Sequence, residues 1–290
     1  MSNSVTTPAA TAKQMPTNNR QTDANGKPMQ KTCAIIHFNT PELTYALIMS
    51  IRKHGGEDYK IVIFDNSADV IDRNGELSKA RPFKPIRKGT KAWGKGGVKI
   101  YNNRKGQIID LDRELEKYPD RDESIGCSKG CWFGSDKHMM CVQKLWELIP
   151  EGFMLMDSDI LIKNSFDWMF MPDQCTCGYI GQCSGPDRIE RLMPHLLWIN
   201  VPMCKEGGAR FFDPNRAWGL HKGYSCKKNF WDTGAAFLDD IRRLKPQCHG
   251  RAISREILLS MIEHFGGGSW HQNDIKLQAK WLEKFRDLWE

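Results

Sequence analysis

The sequence predicts an α/β protein with one large domain, in which helices flank a central, mostly parallel sheet. Short apolar runs of strand length alternate with stretches of helical periodicity between residues 32 and 160. Two of these runs end in clusters of Asp, Asn and Ser, the polar side chains expected at the ligand-binding edge of an open α/β sheet. The chain of 290 residues, 40% of them hydrophobic, is long enough to bury a sizeable core.

The N-terminal segment is expected to be disordered. Residues 1–30 are rich in Ser, Thr, Asn, Pro, Ala and Gln and contain few large apolar side chains. Such a segment cannot bury enough apolar surface to offset the entropy that folding removes. We therefore place the folded domain at residues 31–290.

The first half of the domain begins with a strand–helix–strand unit. Thr40 and Pro41 suit the N-cap and the first position of a helix, and Gly55 with Gly56 ends it. Strands joined by a crossover helix pair in parallel. The pattern predicts strands at 32–38, 59–64, 98–102 and 152–156, and further helices near 110–117 and at 136–149, the latter capped by Ser135.

The second half is less regular. Residues 178–182 and 196–201 have the apolar character of strands, and residues 219–224 that of a loop. The segment 257–265 fits a strand or a short helix. A helix follows Trp231–Leu238, and an amphipathic helix at 272–288 closes the chain after a Gly-rich turn at 264–271.

Composition bears on the compartment and the redox state in which the protein is expected. No apolar run approaches the roughly eighteen residues that span a bilayer, and the N-terminus lacks the apolar core of a secretory signal. Ten cysteines occur without a regular framework, so we expect reduced thiols and a cytoplasmic protein. The grouping of Cys175, Cys177 and Cys183 lacks the paired spacing of a structural zinc site, which disfavours zinc.

Positive charge is concentrated in one segment. The net charge is +7, and residues 79–105 contain ten Lys or Arg and no Asp or Glu. With its many Gly and Pro residues, this segment is predicted to be a mobile basic loop. It is either simply solvated or contacts an anionic membrane face, an anionic acceptor or donor phosphates. No recognised nucleic-acid motif accompanies it, so nucleic acid is not expected as a partner.

Two carboxylates follow the last strand of the first half. Asp157 and Asp159 come directly after the apolar run 152–156. In an extended chain, side chains two residues apart point to the same side, so these carboxylates can converge. Close carboxylates repel each other and are costly to desolvate unless a cation joins them. The pattern therefore indicates a divalent metal carrying a diphosphate, with a solvated turn as the alternative.

The order of the motifs resembles that of the GT-A fold glycosyltransferases, especially their family 2-like group, over roughly residues 31–275. The motifs are Asp65-Asn66-Ser67, Met156-Asp157-Ser158-Asp159, Trp231-Asp232-Thr233-Gly234 and the segment 264–270. The resemblance implies a nucleotide-sugar-binding half at 31–160 and an acceptor-binding half at 161–290. It further implies a metal-dependent enzyme that moves a sugar from a nucleotide-diphosphate sugar to an acceptor hydroxyl, inversion being the favoured outcome. The acceptor would be a glycan or glycolipid in polysaccharide or glycolipid assembly, with peripheral contact to the inner face of a membrane.

The resemblance also assigns donor and metal residues by position. Asp65, with Asn66, would hold the nucleoside; a plain Asx turn is the alternative. Asp159 would be the main metal ligand, and Asp157 would reach the ribose or the metal. A late His completes the metal shell, which indicates His264. His271 is the alternative late ligand, and the ion would be Mn²⁺ or Mg²⁺. Lys137 and His138, on the helix before the metal-binding strand, would either reach the donor phosphates or simply form the start of that helix.

Asp232 is the predicted catalytic base of an inverting reaction. Its alternative role is to cap the helix that follows, and Asp239 and Asp240 are second choices on the polar face of that helix. Trp231 and Trp270 would stack on sugar rings or simply pack. Gly266–Gly268 would be a lid hinge or a tight turn.

Two other functions compete with the transferase. A nucleotidyltransferase would need a Gly-rich, basic loop directly after the first strand, where the chain has Phe38-Asn39-Thr40-Pro41. A non-enzymatic protein would bind an anionic ligand through residues 79–105, and its binding would be abolished by salt.

Overall fold

The computed structural model describes residues 30–71, 77–117, 134–182, 189–213, 232–244, 250–266 and 274–290. The predicted disordered segment lies outside these residues except for Gln30, and so does the predicted loop at 219–224. Within the described residues the fold is the predicted α/β arrangement, a seven-stranded, mostly parallel sheet flanked by helices.

The elements alternate through the first half and become mixed in the second. The strands are β1 (Thr32–His37), β2 (Lys60–Asp65), β3 (Val70–Ile71), β4 (Leu77–Ser78), β5 (Val98–Asn102), β6 (Phe153–Asp157), β7 (Ile160–Ile162), β8 (Thr176–Gln182), β9 (Glu190–Ile199), β10 (Gly250–Ile253) and β11 (Ile262–His264). The α-helices are α1 (Pro41–Ser50), α2 (Leu111–Glu116), α3 (Gly134–Leu148), α4 (Val201–Glu206), α5 (Ala235–Arg243), α6 (Arg255–Met261), α7 (Ile275–Lys284) and α8 (Arg286–Trp289).

The main sheet has the strand order β10-β8-β9-β6-β1-β2-β5. Strands β6, β1, β2 and β5 are mutually parallel, β9 runs antiparallel between β6 and β8, and β10 is parallel to β8. The carboxyl ends of β1, β2, β5 and β6 therefore meet at one edge, together with the first residues of β9. Ligands of open α/β sheets bind outside such an edge.

Two apolar layers cover the faces of the sheet. Alternation along β1 sends Ala34 and Ile36 into one layer and Cys33 and Ile35 into the other. Helices α3 and α5 pack in the first layer, and α1 packs in the second. Because both faces are buried, the central strands are continuous apolar runs rather than alternating ones.

Several local details differ from the sequence expectations. Segment 257–265 is both a helix and a strand, α6 followed by β11, and β9 begins well before residue 196. Helix α3 begins at Gly134, so Ser135 lies inside it. Thr40 is the N-cap residue of α1 but forms no side-chain cap bond, because its hydroxyl lies 3.1 Å from Ser158 Oγ.

The basic segment 79–105, predicted to be a mobile loop, is partly packed against the sheet. Phe83 and Ala92 are buried, and β5 occupies residues 98–102 near the end of the segment, as predicted. The Phe83 amide donates to Asp65 Oδ2 at 3.1 Å. The glycines of the segment permit close packing, since a Cβ at Gly96 would lie 2.2 Å from the Tyr59 carbonyl oxygen.

A buried arginine fixes the middle of this segment. Arg52 is 5% exposed and follows α1 in a π-helical turn, Ile51–Gly55. Its guanidinium donates only to main-chain carbonyls, those of Glu57, Tyr59, Ala92, Trp93 and Gly97, at 2.6–3.3 Å. One side chain thus joins the end of α1, the start of β2 and the turn that precedes β5.

The expectation of reduced cysteines fails at one position. Cys175 is disulfide-bonded, whereas Cys33, Cys141, Cys177 and Cys204 are buried free thiols. Burial raises the pKa of each of these free thiols, to about 12 at Cys177, which keeps them protonated and unreactive. Among the described residues, no helix combines the length and the apolarity that crossing a membrane requires.

His37 is buried at the carboxyl end of β1 with both ring nitrogens bonded. Its Nδ1 lies 2.8 Å from Thr44 Oγ1, and its Nε2 lies 3.1 Å from the Arg81 carbonyl oxygen. A carbonyl only accepts, so Nε2 carries the proton and Nδ1 accepts from the hydroxyl. Burial lowers the pKa of His37 below its ordinary value of 6.5, despite the opposing carbonyl bond. The folded protein therefore holds this ring neutral.

We expect Arg52→Met to lower the free energy of unfolding by at least about 3 kcal/mol, because it removes all five donors and leaves buried carbonyls unsatisfied. Arg52→Lys, which keeps the charge without the planar fork, should give an intermediate loss. Urea denaturation measures both effects. The exposed Arg255→Met is the control, and a loss below about 1 kcal/mol in Arg52→Met would show that the segment is held by other contacts.

The neutral state of His37 predicts a stability that falls with acid. Below about pH 6.5 the unfolded chain binds a proton at this ring that the folded chain refuses, so the unfolding free energy decreases by up to about 1.4 kcal/mol per pH unit. His37→Gln removes this titration. The difference in unfolding free energy between wild type and variant should be constant above about pH 7.5. Between about pH 7.5 and pH 5.5, the wild type should lose stability relative to the variant as the pH falls. A difference that does not change with pH would contradict a neutral buried ring.

Candidate functional site

The predicted Asp-x-Asp pair lies at the centre of the polar edge of the sheet. Asp157 is the last residue of β6, a strand flanked by β1 and β9, and Ser158 with Asp159 forms the turn into β7. The chain turns here, so the two carboxylates are not brought together by strand alternation as the sequence reading assumed. Each contacts a different histidine instead, Asp157 with His195 and Asp159 with His264, and the ring centroids of these two histidines are 4.1 Å apart.

Asp157 is held by histidines from two other elements. His195 Nδ1 lies 2.7 Å from its Oδ2, and His138 Nε2, from the start of α3, lies 3.5 Å from its Oδ1. The carboxylate is 19% exposed. Burial alone would raise the pKa of Asp157, but the His138 and His195 contacts outweigh it and hold the pKa well below its usual range. Asp157 is therefore a stable anion inside the protein.

His195 is positioned by a bulge in β9. The last pair between β6 and β9 is Met156 with Leu196, which places His195 beside Asp157. On the other side of β9, the partners of β8 jump from Leu197 to Leu192 within two residues of β8. Bulges of this kind redirect side chains next to functional sites. The sequence analysis did not identify His195, because the predicted strand 196–201 begins after it; Pro194 lies within the observed β9, where a proline often accompanies a bulge.

His264 is positioned by a small second sheet. Strand β11 pairs antiparallel with β7, which sets His264 opposite Ile160, and the Phe265 amide donates to the Asp159 carbonyl oxygen at 2.8 Å. His264 Nε2 lies 3.6 Å from Asp159 Oδ2. Burial lowers the pKa of His264, but the Asp159 carboxylate outweighs burial and the net shift is upward.

Asp159, His195 and His264 form a group that fits a metal ion. One ligand atom from each lies within 4.8 Å of the others. Since His195 Nδ1 faces Asp157, its Nε2 is the nitrogen left for a metal. A metal-bound His that gives its other nitrogen to a carboxylate is a recurrent arrangement, because the carboxylate fixes the ring and raises its basicity. The described residues thus bring Asp159, His264 and His195 together and place Asp157 behind His195, and the predicted roles of Asp157, Asp159 and His264 as metal ligands stay predictions.

The donor set restricts which ions fit. One carboxylate and two imidazoles suit Mn²⁺, Fe²⁺ or Zn²⁺, whereas Mg²⁺ prefers an all-oxygen shell. The second imidazole therefore favours Mn²⁺ over Mg²⁺ among the two predicted cofactors. His271, the alternative late ligand, lies outside the described residues.

The predicted nucleoside residues organise the loops beside this site. Asp65 is 1% exposed, and its two oxygens accept from the amides of Ser67 and Phe83 at 3.0 and 3.1 Å. Asn66 Oδ1 accepts from Asn103 Nδ2 at 2.8 Å. The Asx turn given as the alternative for Asp65 is present, and direct contact of these residues with a nucleoside stays a prediction.

Lys137 lies next to His138 in the first turns of α3. Its Nζ is 2.7 Å from Asp112 Oδ1, a carboxylate on α2 that is 79% exposed. A surface ion pair of this kind contributes little and opens readily, so it does not prevent Lys137 from reaching a ligand. The predicted contact of Lys137 with donor phosphates stays a prediction.

Asp232 is engaged by an arginine. Arg191 Nη1, from β9, lies 2.6 Å from Asp232 Oδ2, and both side chains are 17% exposed. The Thr233 amide donates to the other carboxylate oxygen at 2.7 Å. The N-cap of α5 is Gly234, with φ 84°, so the helix-cap role given as the alternative for Asp232 is wrong. A role for Asp232 as a base requires the ion pair to open.

The second-choice acids differ from a solvated helix face. Asp240 is 7% exposed, and its Oδ2 accepts from the Arg210 amide at 2.9 Å. Asp239 is paired with Arg243 at 3.1 Å. Trp231 and Trp270 lie outside the described residues. Gly266 has φ 71°, which suits a tight turn, and Gly267 and Gly268 lie outside the described residues.

Comparisons with known proteins give similarities to solved structures alone. Neither protein-family models nor curated proteins yield a match. Among solved structures, the chain is similar to mouse xyloside xylosyltransferase 1 in its apo form, at 10% sequence identity and a TM-score of 0.41. The likeness covers 84% of this chain and 93% of the mouse chain. A likeness at this level carries no argument about function.

Substitutions at Asp157 and Asp159 distinguish a residue that binds the metal directly from one that orients a metal-binding histidine. We expect Asp157→Asn to retain most of the Mn²⁺ affinity, because the amide oxygen still accepts from His195 Nδ1, and Asp157→Ala to lose about 10–100-fold. Asp159→Asn should lose far more. The Mn²⁺ that stays free, followed by its electron paramagnetic resonance signal, measures each affinity. Equal losses in Asp157→Asn and Asp159→Asn would make Asp157 a direct ligand.

Proposed function

We propose that this chain is a metal-dependent glycosyltransferase that moves a sugar from a nucleotide-diphosphate sugar to an acceptor hydroxyl. The observation that carries the proposal is the convergence of Asp159, His195 and His264 at the carboxyl end of β6. This is the edge of the α/β sheet where ligands bind, and Asp159 is the second aspartate of the Asp-x-Asp sequence. A cation site there suits a diphosphate, which needs charge neutralisation as it leaves the sugar.

The charge of the group supports binding of a diphosphate. Two neutral imidazoles and one carboxylate contribute a single negative charge, so a bound divalent ion would keep a net positive charge. Asp157 adds its negative charge from behind His195, where it orients the ring and does not occupy the ion. When bound, the ion would stabilise the negative charge that develops on the leaving diphosphate.

The donor side would be completed by loops from neighbouring strand ends. We propose that Asn66 and Lys137 contact the nucleoside and its phosphates, since Asn66 directly follows β2 and Lys137 lies in the first turn of α3. Asp65 would act by holding the amides of Ser67 and Phe83, which fixes the chain that faces the nucleoside. His138 contacts Asp157, so in this proposal it steadies that carboxylate.

The acceptor side would lie toward β9 and the start of α5. We propose that Asp232 receives the proton of the acceptor hydroxyl when the acceptor displaces Arg191 from its carboxylate. This step suits an inverting reaction, in which a carboxylate base removes the proton as the hydroxyl oxygen attacks the sugar carbon. A glycan or glycolipid is the acceptor class that the family resemblance suggests.

No observation favours the nucleotidyltransferase. The chain after β1 holds Asn39 in a left-handed conformation, with φ 56°, and its side chain is bonded to the Ala68 carbonyl and the Arg81 amide. This turn is tied to neighbouring loops and has no glycines that would let a backbone wrap a phosphate.

The proposal predicts metal-dependent stabilisation by one nucleoside diphosphate. A ligand at a hundredfold excess over its Kd raises the unfolding free energy by about 2.7 kcal/mol. We expect a rise in thermal midpoint with Mn²⁺ and the matching nucleotide, a smaller rise with Mg²⁺, and none in Asp159→Ala or His195→Ala. The measurement is thermal unfolding of the 290-residue chain against a panel of nucleoside diphosphates.

His54→Ala is the matched control, since this half-buried histidine lies in the turn that follows α1 and bonds the Leu288 carbonyl. It should respond to Mn²⁺ and nucleotide as the wild type does. If Asp159→Ala and His195→Ala kept the rise in thermal midpoint, the nucleotide would bind elsewhere than at this group. The absence of a shift with every nucleotide in folded protein would contradict the transferase.

A further inference from the structure

The basic segment contains a short exposed stretch that the proposed site does not use. We call residues 84–91 the cationic ridge; Lys84, Arg87, Lys88 and Lys91 are exposed, and the ridge contains no acidic residue. Its borders are buried, at Phe83 and Ala92, and Ile86 packs on the core between them. The ridge therefore presents four cations from a packed support.

The support holds the ridge in a fixed shape. Asp65 accepts from the Phe83 amide at one end, and Arg52 donates to the carbonyls of Ala92 and Trp93 at the other. Inside the ridge, the Thr90 hydroxyl donates to the Arg87 carbonyl at 2.8 Å. A merely solvated loop needs no such anchoring. Pre-organised charges bind a partner with less loss of entropy than charges on a mobile loop.

The charges of the ridge are not neutralised locally. Elsewhere in the segment, Lys79 pairs with Asp69 and Lys95 with Glu57. Within the part of the chain that the structure describes, Lys84, Arg87 and Lys88 form no ion pair, and Lys91 donates to the Glu290 carbonyl oxygen. The ridge is thus a local excess of positive charge on a protein whose net charge is +7.

We propose that the cationic ridge docks the protein on an anionic phospholipid surface. Three of its four cations are Lys, which act as point charges and suit a diffuse field of headgroups better than the planar recognition of one phosphate. Single-stranded nucleic acid would need exposed aromatic rings for stacking. The nearby rings do not offer them, because Phe83 is buried and Trp93 is half-buried with Lys88 Nζ 6.0 Å from its centroid.

The test compares two variants that remove equal charge. Lys84→Ser/Arg87→Ser/Lys88→Ser removes three cations from the ridge, and Lys276→Ser/Lys280→Ser/Lys284→Ser removes three exposed cations from α7. Co-sedimentation of the full chain is measured with vesicles of phosphatidylcholine alone and with vesicles containing about one-third phosphatidylglycerol. Each cation near an anionic surface contributes on the order of fivefold in affinity, so the ridge variant should bind on the order of a hundredfold more weakly. The α7 variant should bind nearly as the wild type does.

Further readouts make each outcome decisive. Binding should weaken as salt rises, and Mn²⁺ binding and thermal midpoint should be unchanged in the ridge variant, so failure here is distinct from failure of the transferase. Equal losses of vesicle affinity in the ridge variant and the α7 variant would show that only net charge matters and would contradict docking through the ridge. Wild-type protein that binds a soluble acidic polysaccharide or single-stranded DNA but not the anionic vesicles would also overturn it, as would wild-type protein that binds none of these.

Discussion

The site depends on how the protein accommodates one carboxylate at the end of its central strand. Asp157 ends β6 in the middle of the sheet and is largely withdrawn from water, which is unfavourable for a carboxylate unless hydrogen bonds compensate. The compensation comes from α3 through His138 and from β9 through His195. These contacts tie two elements to β6, and the bulge of β9 is the backbone distortion that delivers His195. Once His195 is fixed, its second nitrogen can join Asp159 and His264.

A second buried charge organises the neighbouring edge by different means. Arg52 is satisfied entirely by carbonyl oxygens, and Asp65 accepts two main-chain amides. Bonds to the main chain fix loop geometry and offer no group that exchanges a proton for a metal. Imidazoles do, since a metal ion replaces a proton on the ring nitrogen. This difference favours the group around Asp157 as the chemical centre and gives Asp65 and Arg52 a supporting role.

Much of the fold was predictable because it follows from local patterns of apolar and polar residues in the sequence. β5 was predicted to the residue and the neighbouring strands of the first half to within one, since central strands of a parallel sheet are short apolar runs with polar ends. His195 was not predictable in the same way: its role depends on the register between β6 and β9, which are far apart in sequence.

The number of glycines in 79–105 led to a wrong expectation of an unpacked loop, because Gly94 and Gly96 permit close packing on Arg52 and Tyr59 and do not signal mobility. The disulfide of Cys175 was missed for a related reason, since pairing depends on spatial proximity and not on spacing.

The charges at the carboxyl edge of the sheet connect the buried carboxylates with the proposed function. Asp157, held as an anion, would repel a diphosphate, so the proposed function requires a cation between the two. Each carboxylate has histidine contacts of its own: His138 and His195 lie beside Asp157, and His264 lies 3.6 Å from Asp159. A neutral imidazole offers the lone pair of one ring nitrogen to a metal ion, and in the proposed function that ion would make this edge attract phosphate. In the proposed function these histidine contacts would fix Asp157 and Asp159 before an ion binds, and His195 and His264 would then serve as its ligands together with Asp159.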